Sequence, residues 1–201
     1  MLIKIILMFI IAYLLGGLNF SILLSKLIAK KDIRELGSGN AGFTNTLRNF
    51  GKGTAALVLI GDALKAVVAI LIARYLSSDQ YMVFAAGLGA ILGHNFPVYY
   101  GFKGGKGILT SAAVVFMIDP RAGLFLVVTC VSVMFITRYV SVGSILGCIA
   151  FPVSIYILNP TNTPLFIFAL LVSGLALFMH RENIKRLING TENRFGRKKN
   201  V

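Results

Sequence analysis

The feature that most constrains this chain is a succession of apolar runs of membrane-spanning length, separated by short polar breaks. Crossing a bilayer core of ~30 Å takes about 20 apolar residues in a helix. The runs extend from Leu2 to about Leu27, Thr54 to Leu76, Tyr81 to about Val98, about Gly105 to Ile118, Ala122 to Thr137, about Val142 to Leu158, and Leu165 to Met179. The fourth is short for a span, and Pro152 interrupts the sixth. Charged residues make up 13% of the chain, against about a quarter in soluble domains. The sequence therefore predicts an all-α, polytopic membrane protein of about seven transmembrane helices, with residues 1–201 forming a single domain. The first run carries one early lysine, Lys4, and far exceeds the ~7–15 apolar residues of a secretory signal, so it is read as a span.

The polar breaks sort by charge. With seven spans, one side receives 26–52, 99–106, 138–141 and everything after His180, which together hold 16 of the 20 basic residues. Lys4, Arg74 and Arg121 fall on the other side, and Lys65 lies within a span. The positive-inside rule makes the rich side cytoplasmic, with the N-terminus outside and the C-terminus in the cytoplasm. A net charge of +13 is compatible with nucleic acid, anionic lipid or an anionic substrate. Its concentration beside the spans favours membrane lipid and substrate, with no nucleic acid partner. The segment after His180 has Ile184, Leu187 and Ile188 at helical spacing with Lys185 and Arg186 beside them, and it ends in Arg197, Lys198 and Lys199, a pattern suited to anionic lipid. Cys130 and Cys148 lie inside apolar runs, with neither disulfide-framework nor metal-site spacing.

Three cytoplasmic stretches carry polar chemistry. The first, "GSGNAGFTNTLRNFG", puts Ser38, Gly39, Asn40, Thr44 and Asn45 ahead of Arg48. Glycine-rich backbone can turn N–H groups on an anion, and a guanidinium can grip phosphate through two nitrogens. The alternative is a capped polar loop. The second, "HNFPVYYGFKGGKGILT", sets Lys103 and Lys106 among Gly101, Gly104, Gly105 and Gly107, just before an apolar helix whose N-terminus favours phosphate. It lacks the Gly-Lys-Ser/Thr of a Walker loop, and its alternative is a flexible turn with two snorkelling lysines. The third, "HRENIKRLINGTE", brings His180 and Asn183 out of the last span. His94 stands at the same side of the third span.

Asp62 and Lys65 are three residues apart within the second span. Charges at that depth usually pair or line a cavity, so they support either the bundle or the site. Gly89 and Gly93 form a close-packing pattern in the third span. Neither histidine has an aspartate five residues on, which excludes acyltransferases built on that dyad. The seven acidic residues lack the spaced aspartates of metal-dependent CDP-alcohol phosphotransferases. Cations, amides and hydroxyls suit phosphate binding, with no metal and no cofactor. A transporter or channel for an organic phosphate would use similar groups, but only Asp62 and Lys65 furnish the spans with charge.

Taken in order, these stretches resemble the bacterial membrane glycerol-3-phosphate acyltransferases that use acyl phosphate as donor. "GDALK" in the second span and "RYVSVGS" from Arg138 also resemble that family, whereas Phe43 replaces a small residue, usually alanine. The resemblance covers nearly the whole chain. It implies transfer of an acyl group to the 1-hydroxyl of sn-glycerol 3-phosphate, giving lysophosphatidic acid and phosphate at the cytoplasmic face of the inner membrane. A cytosolic enzyme that makes acyl phosphate is the implied partner. Lys106, His180, Ser38 and Arg48 are the implied catalytic residues. Gly39, Asn40, Thr44, Asn45, Lys103, Gly104, Gly105, Ser141, Asn183 and Glu192 would bind substrate, with His94, Asp62 and Lys65 in support. Two proton acceptors stay open, His180 and a substrate phosphate oxygen.

Overall fold

The computed structural model describes residues 1–194. The basic group Arg197, Lys198 and Lys199 lies outside the described residues. Among the described residues the regular structure is helical: α1 (Leu2–Gly16), α2 (Phe20–Ala29), α3 (Phe43–Leu76), α4 (Gln80–Asn95), α5 (Ile108–Ile118), α6 (Pro120–Thr137), α7 (Val140–Leu158), α8 (Thr163–Met179) and α9 (Arg181–Ile188). Short 3-10 turns at Ile33–Glu35 and Val98–Tyr100 interrupt the loops before α3 and α5. Large apolar side chains such as Leu7, Leu57, Leu71, Phe125 and Ile157 are exposed. On an all-helical chain this is the surface of an integral membrane protein, where lipid takes the place of water.

Every predicted apolar run contains a helix, but the lengths differ. Residues 2–29, Phe43–Leu76, 80–100, Pro120–Thr137 and Val140–Leu158 are long and apolar enough to cross a membrane, and α8 with α9, bent by 54°, makes a sixth if counted as one span. The predicted fourth span is the 11-residue α5, about 16 Å long at 1.5 Å per residue and short of the apolar core.

Two compact units make up the chain, Met1–Ile118 and the remainder from Asp119. In the first, α1 lies along α4. A Cβ on Gly89 would meet the Phe9 carbonyl and Ala12, one on Gly93 the Tyr13 carbonyl, and one on Gly16 the backbone of Ala90. The small residues thus let two backbones approach closely. In the second unit, α7 packs against both α6 and α8. The Asp119 carboxylate caps α6, accepting from the Arg121 and Ala122 amides at 2.9 and 3.2 Å, and it also accepts from Asn159 Nδ2 at 2.8 Å.

The predicted first span is two helices. Asn19 restarts the chain as α2 by accepting the Ile22 amide at 3.1 Å. Such a break strands backbone groups that neither lipid nor the helix satisfies. The charged pair of α3 takes them up: Lys65 Nζ donates to the Leu18 carbonyl at 3.0 Å, and the Phe20 amide donates to Asp62 Oδ1 at 3.4 Å. α3 also begins well before the apolar run. Gly51, with φ of 78°, kinks it there and separates the turns carrying Thr44, Asn45 and Arg48 from the apolar stretch.

Candidate active site

At one end of the first unit, the loop between α2 and α3 meets the loop between α4 and α5. The first polar stretch is organised by Asn45, which is buried on the first turn of α3. Its Oδ1 accepts the Ser38 amide at 3.1 Å, and its Nδ2 donates to the carbonyls of Ile33 and Leu36 at 3.1 and 2.9 Å. Gly37 and Gly39 take φ of 59° and 71°, which glycine adopts readily and other residues rarely. Ser38 and Gly39 are exposed, Asn40 and Thr44 half-buried, and Arg48 exposed on α3. Asn45 thus shapes this loop, because both of its amide hydrogens go to backbone carbonyls.

The second stretch is held more tightly. The Gly104 amide donates to the Asn95 carbonyl at 3.0 Å and the Gly105 amide to the His94 carbonyl at 3.1 Å. Gly105 could not carry a side chain, because a Cβ there would collide with His94 Nε2 and the Ala41 carbonyl. His94 is buried, and Lys65 Nζ donates to its Nδ1 at 2.9 Å while also lying 2.8 Å from Asp62 Oδ1. An ammonium only donates, so the neutral ring carries its proton on Nε2, toward Gly105. Asp62, Lys65 and His94 therefore join the break in the first span to the glycine–lysine loop. Lys103 is exposed and Lys106 half-buried, immediately before Gly107 and α5. The first turn of α5 leaves amides with no acceptor inside the helix, the arrangement that favours an anion.

In the second unit, His180 ends α8 and is buried; its Nδ1 lies 2.8 Å from the Ala176 carbonyl. A carbonyl only accepts, so Nδ1 carries the proton and Nε2 is the basic nitrogen of the neutral ring. Asn183 Nδ2 and Arg186 Nε donate to the two oxygens of Glu192 at 2.8 and 2.7 Å. Burial pushes the Glu192 carboxyl up, but hydrogen bonds led by those from Arg186 and Asn183, together with the Arg186 charge, hold the group below the usual carboxylate range. Ser141, on the first turn of α7, is buried.

Several residues in these clusters carry no signature in the sequence. Arg34, just ahead of the first polar stretch and paired with Asp32, donates to the Tyr100 and Lys103 carbonyls beside the glycine–lysine turn. Asn95 is buried with both polar side-chain atoms unpaired within the protein, as are the hydroxyls of Thr110 and Ser111 on the first turns of α5. A Cβ on Gly107 would collide with Asn95 Oδ1, so this amide stands at the helix entrance. An asparagine at the end of an apolar helix is the one signal that could have pointed to it. Buried amides are almost always satisfied, so an unpaired one beside a helix N-terminus has hydrogen-bonding capacity open to a ligand or a water.

A profile of the family described as glycerol-3-phosphate acyltransferase matches residues 6–190. The chain belongs to the glycerol-3-phosphate acyltransferase family. It is 46% identical over 192 residues to the glycerol-3-phosphate acyltransferase of Thermoanaerobacter pseudethanolicus, covering 96% of each chain. To that of Halalkalibacterium halodurans it is 42% identical over 193 residues, covering 94% of each. Among solved structures, it matches a crystal structure of PlsY (YgiH), an integral membrane glycerol 3-phosphate acyltransferase, in its glycerol 3-phosphate form, with a TM-score of 0.89 and 36% identity over 96% of both chains. The lysophosphatidic acid form gives 0.86 at the same identity.

Proposed function

We propose that this acyltransferase moves a fatty acyl group from acyl phosphate to the 1-hydroxyl of sn-glycerol 3-phosphate, on the cytoplasmic side of a bacterial inner membrane. The carrying observation is the glycine–lysine loop, fixed through His94, Asn95 and the Asp62–Lys65 pair at the entrance of α5. Both substrates carry phosphate, and one carries an acyl chain. A phosphate-binding loop at the end of apolar helices leaves that chain among lipid and apolar side chains.

In the reaction the glycerol oxygen attacks the acyl carbonyl carbon. A new C–O bond forms, the mixed-anhydride C–O bond breaks, and inorganic phosphate leaves. Lys106 and the first turn of α5 bind one phosphate, on a loop shaped by the Gly104 and Gly105 amides, which are taken by the Asn95 and His94 carbonyls, and the Lys106 ammonium stabilises negative charge on the oxyanion or the leaving phosphate. Ser38, Gly39, Asn40, Thr44 and Arg48 bind the other, on a loop shaped by Asn45. Lys103 adds charge at the loop's outer edge. His180 accepts the hydroxyl proton at Nε2; Asn183, Glu192 and Ser141 stand with it in the second unit, where the Arg186–Glu192 pair fixes Asn183. Acyl phosphate is already activated, so holding the hydroxyl against the carbonyl supplies much of the acceleration. A cytosolic enzyme that makes acyl phosphate is the partner this chemistry requires, since the donor hydrolyses in water.

Stoichiometry tests the reading. Purified protein in a bilayer, given acyl phosphate and glycerol 3-phosphate, should release one inorganic phosphate per lysophosphatidic acid formed. Lysophosphatidic acid without equivalent phosphate release would exclude this donor chemistry.

A further inference from the structure

Arg34 connects the two polar loops of the first unit. Its guanidinium has five N–H donors, and four hydrogen bonds engage it. Nε and Nη2 donate to the two oxygens of Asp32 at 3.0 and 2.8 Å, while Nη1 donates to the carbonyls of Tyr100 and Lys103 at 2.8 and 3.0 Å. Lys26 Nζ lies 3.4 Å from Asp32 Oδ2.

The two carbonyls bracket an unfavourable turn. Gly101 and Phe102 both have left-handed backbones, with φ of 66° and 59°. For a bulky side chain such as Phe102 that conformation is costly and persists only when its surroundings impose it. Arg34 spans the turn, taking the carbonyl before it and the carbonyl after it. The Lys103–Gly104 peptide is consequently held at both ends, its carbonyl by Arg34 and its amide by the Asn95 carbonyl.

We infer that Arg34, oriented by Asp32, is a positioning residue for the transfer reaction: it holds the glycine–lysine loop in the shape that presents Lys106 and the entrance of α5 to substrate phosphate. With four of its five donors committed to protein oxygens, Arg34 acts through the loop and not as a ligand of substrate. Its partner stays ionised across the working range, because the hydrogen bond from the Arg34 side chain holds the Asp32 carboxyl well below the usual carboxylate range. Arginine is required over lysine, since a point-like ammonium cannot fork onto a carboxylate while bonding two carbonyls. The catalytic part of this inference rests on the proposed function; the part concerning the loop's shape does not.

The test uses Arg34→Lys, Arg34→Gln and Asp32→Asn in the same bilayer as wild type, with two readouts. Hydrogen exchange at the Gly104 and Gly105 amides should quicken by about tenfold or more in both Arg34 variants, because their protection reflects local opening of the loop. Turnover should fall by about 10- to 100-fold in kcat, the scale of a misplaced catalytic group, and Arg34→Lys should not rescue it. Asp32→Asn should move both readouts in the same direction by less. In a Lys106→Met background, Arg34→Gln should cost little more, since the two act through one loop. Wild-type exchange and turnover in Arg34→Lys would reduce Arg34 to a surface charge and overturn the proposal. So would a full multiplicative loss in the double variant, or failure of both Arg34 variants to insert. An inactive wild type with loosened loops in the variants would instead overturn the proposed reaction and keep the positioning role.

Discussion

Lys106 lies between Gly105 and Gly107, half-buried at the entrance of α5. Replacing it with methionine keeps an apolar stem of similar reach and removes the charge and all three donors. Losing one well-placed electrostatic stabiliser costs about 2.7–4 kcal/mol, or ~10²–10³ in rate. Lys106→Met should therefore insert normally and lose nearly all turnover, and Lys106→Arg should largely fail because the planar guanidinium is bulkier. Lys198→Met, in the basic tail, should retain turnover near wild type in the same assay. His180 gives a second test. If its Nε2 takes the hydroxyl proton, His180→Ala should lower kcat by ~10²-fold or more, with donor binding kept. A loss below tenfold would move the proton to a substrate phosphate oxygen. Both residues stand out in the sequence, because a cation among glycines and a histidine at a span's end are unusual in so apolar a chain. Arg34 was not, because its role depends on carbonyls 66 and 69 positions away. Asn45 reads in the sequence as a phosphate ligand, and only the folded loop reveals that its amide is engaged by Ile33, Leu36 and Ser38.

Among the elements, the apolar runs announced their helices plainly, since length and hydropathy alone define a candidate span. The departures lie where one residue outweighs its neighbours. Asn19 barely changes the hydropathy of the first run, yet its side chain caps α2 and divides the span. Gly51 lies in a polar stretch that reads as loop, yet α3 continues through it with a kink. The cost of the Asn19 break is offset by Asp62 and Lys65, both nearly fully buried. This gives a sharp expectation for stability. Lys65→Met leaves Asp62 buried without its ammonium and should destabilise the protein by roughly 3–5 kcal/mol. Lys65→Met combined with Asp62→Asn removes both charges and should recover part of that loss. Thermal unfolding of the detergent-solubilised variants measures both effects. Equal destabilisation by single and double variants would mean that the pair matters only for its bonds to the Leu18 carbonyl and the Phe20 amide.

For the molecule as a whole, charge sorting predicts the orientation of the polar loops. A cysteine placed at Thr161 should react with an impermeant thiol reagent added outside intact cells, whereas one at Asn49 should not; the reverse pattern would put the loops proposed to bind phosphate on the wrong side for a cytosolic donor. Membership of the acyltransferase family agrees with the motif order across nearly the full chain. Donor choice separates acyl phosphate chemistry from the acyl-CoA alternative. Purified protein in a bilayer is supplied with labelled glycerol 3-phosphate and, in parallel, with acyl phosphate or acyl-CoA of the same chain length. Label should pass rapidly into lysophosphatidic acid with acyl phosphate, and none above background should do so with acyl-CoA. Equal labelling from acyl-CoA, or no labelling from acyl phosphate, would contradict this donor chemistry.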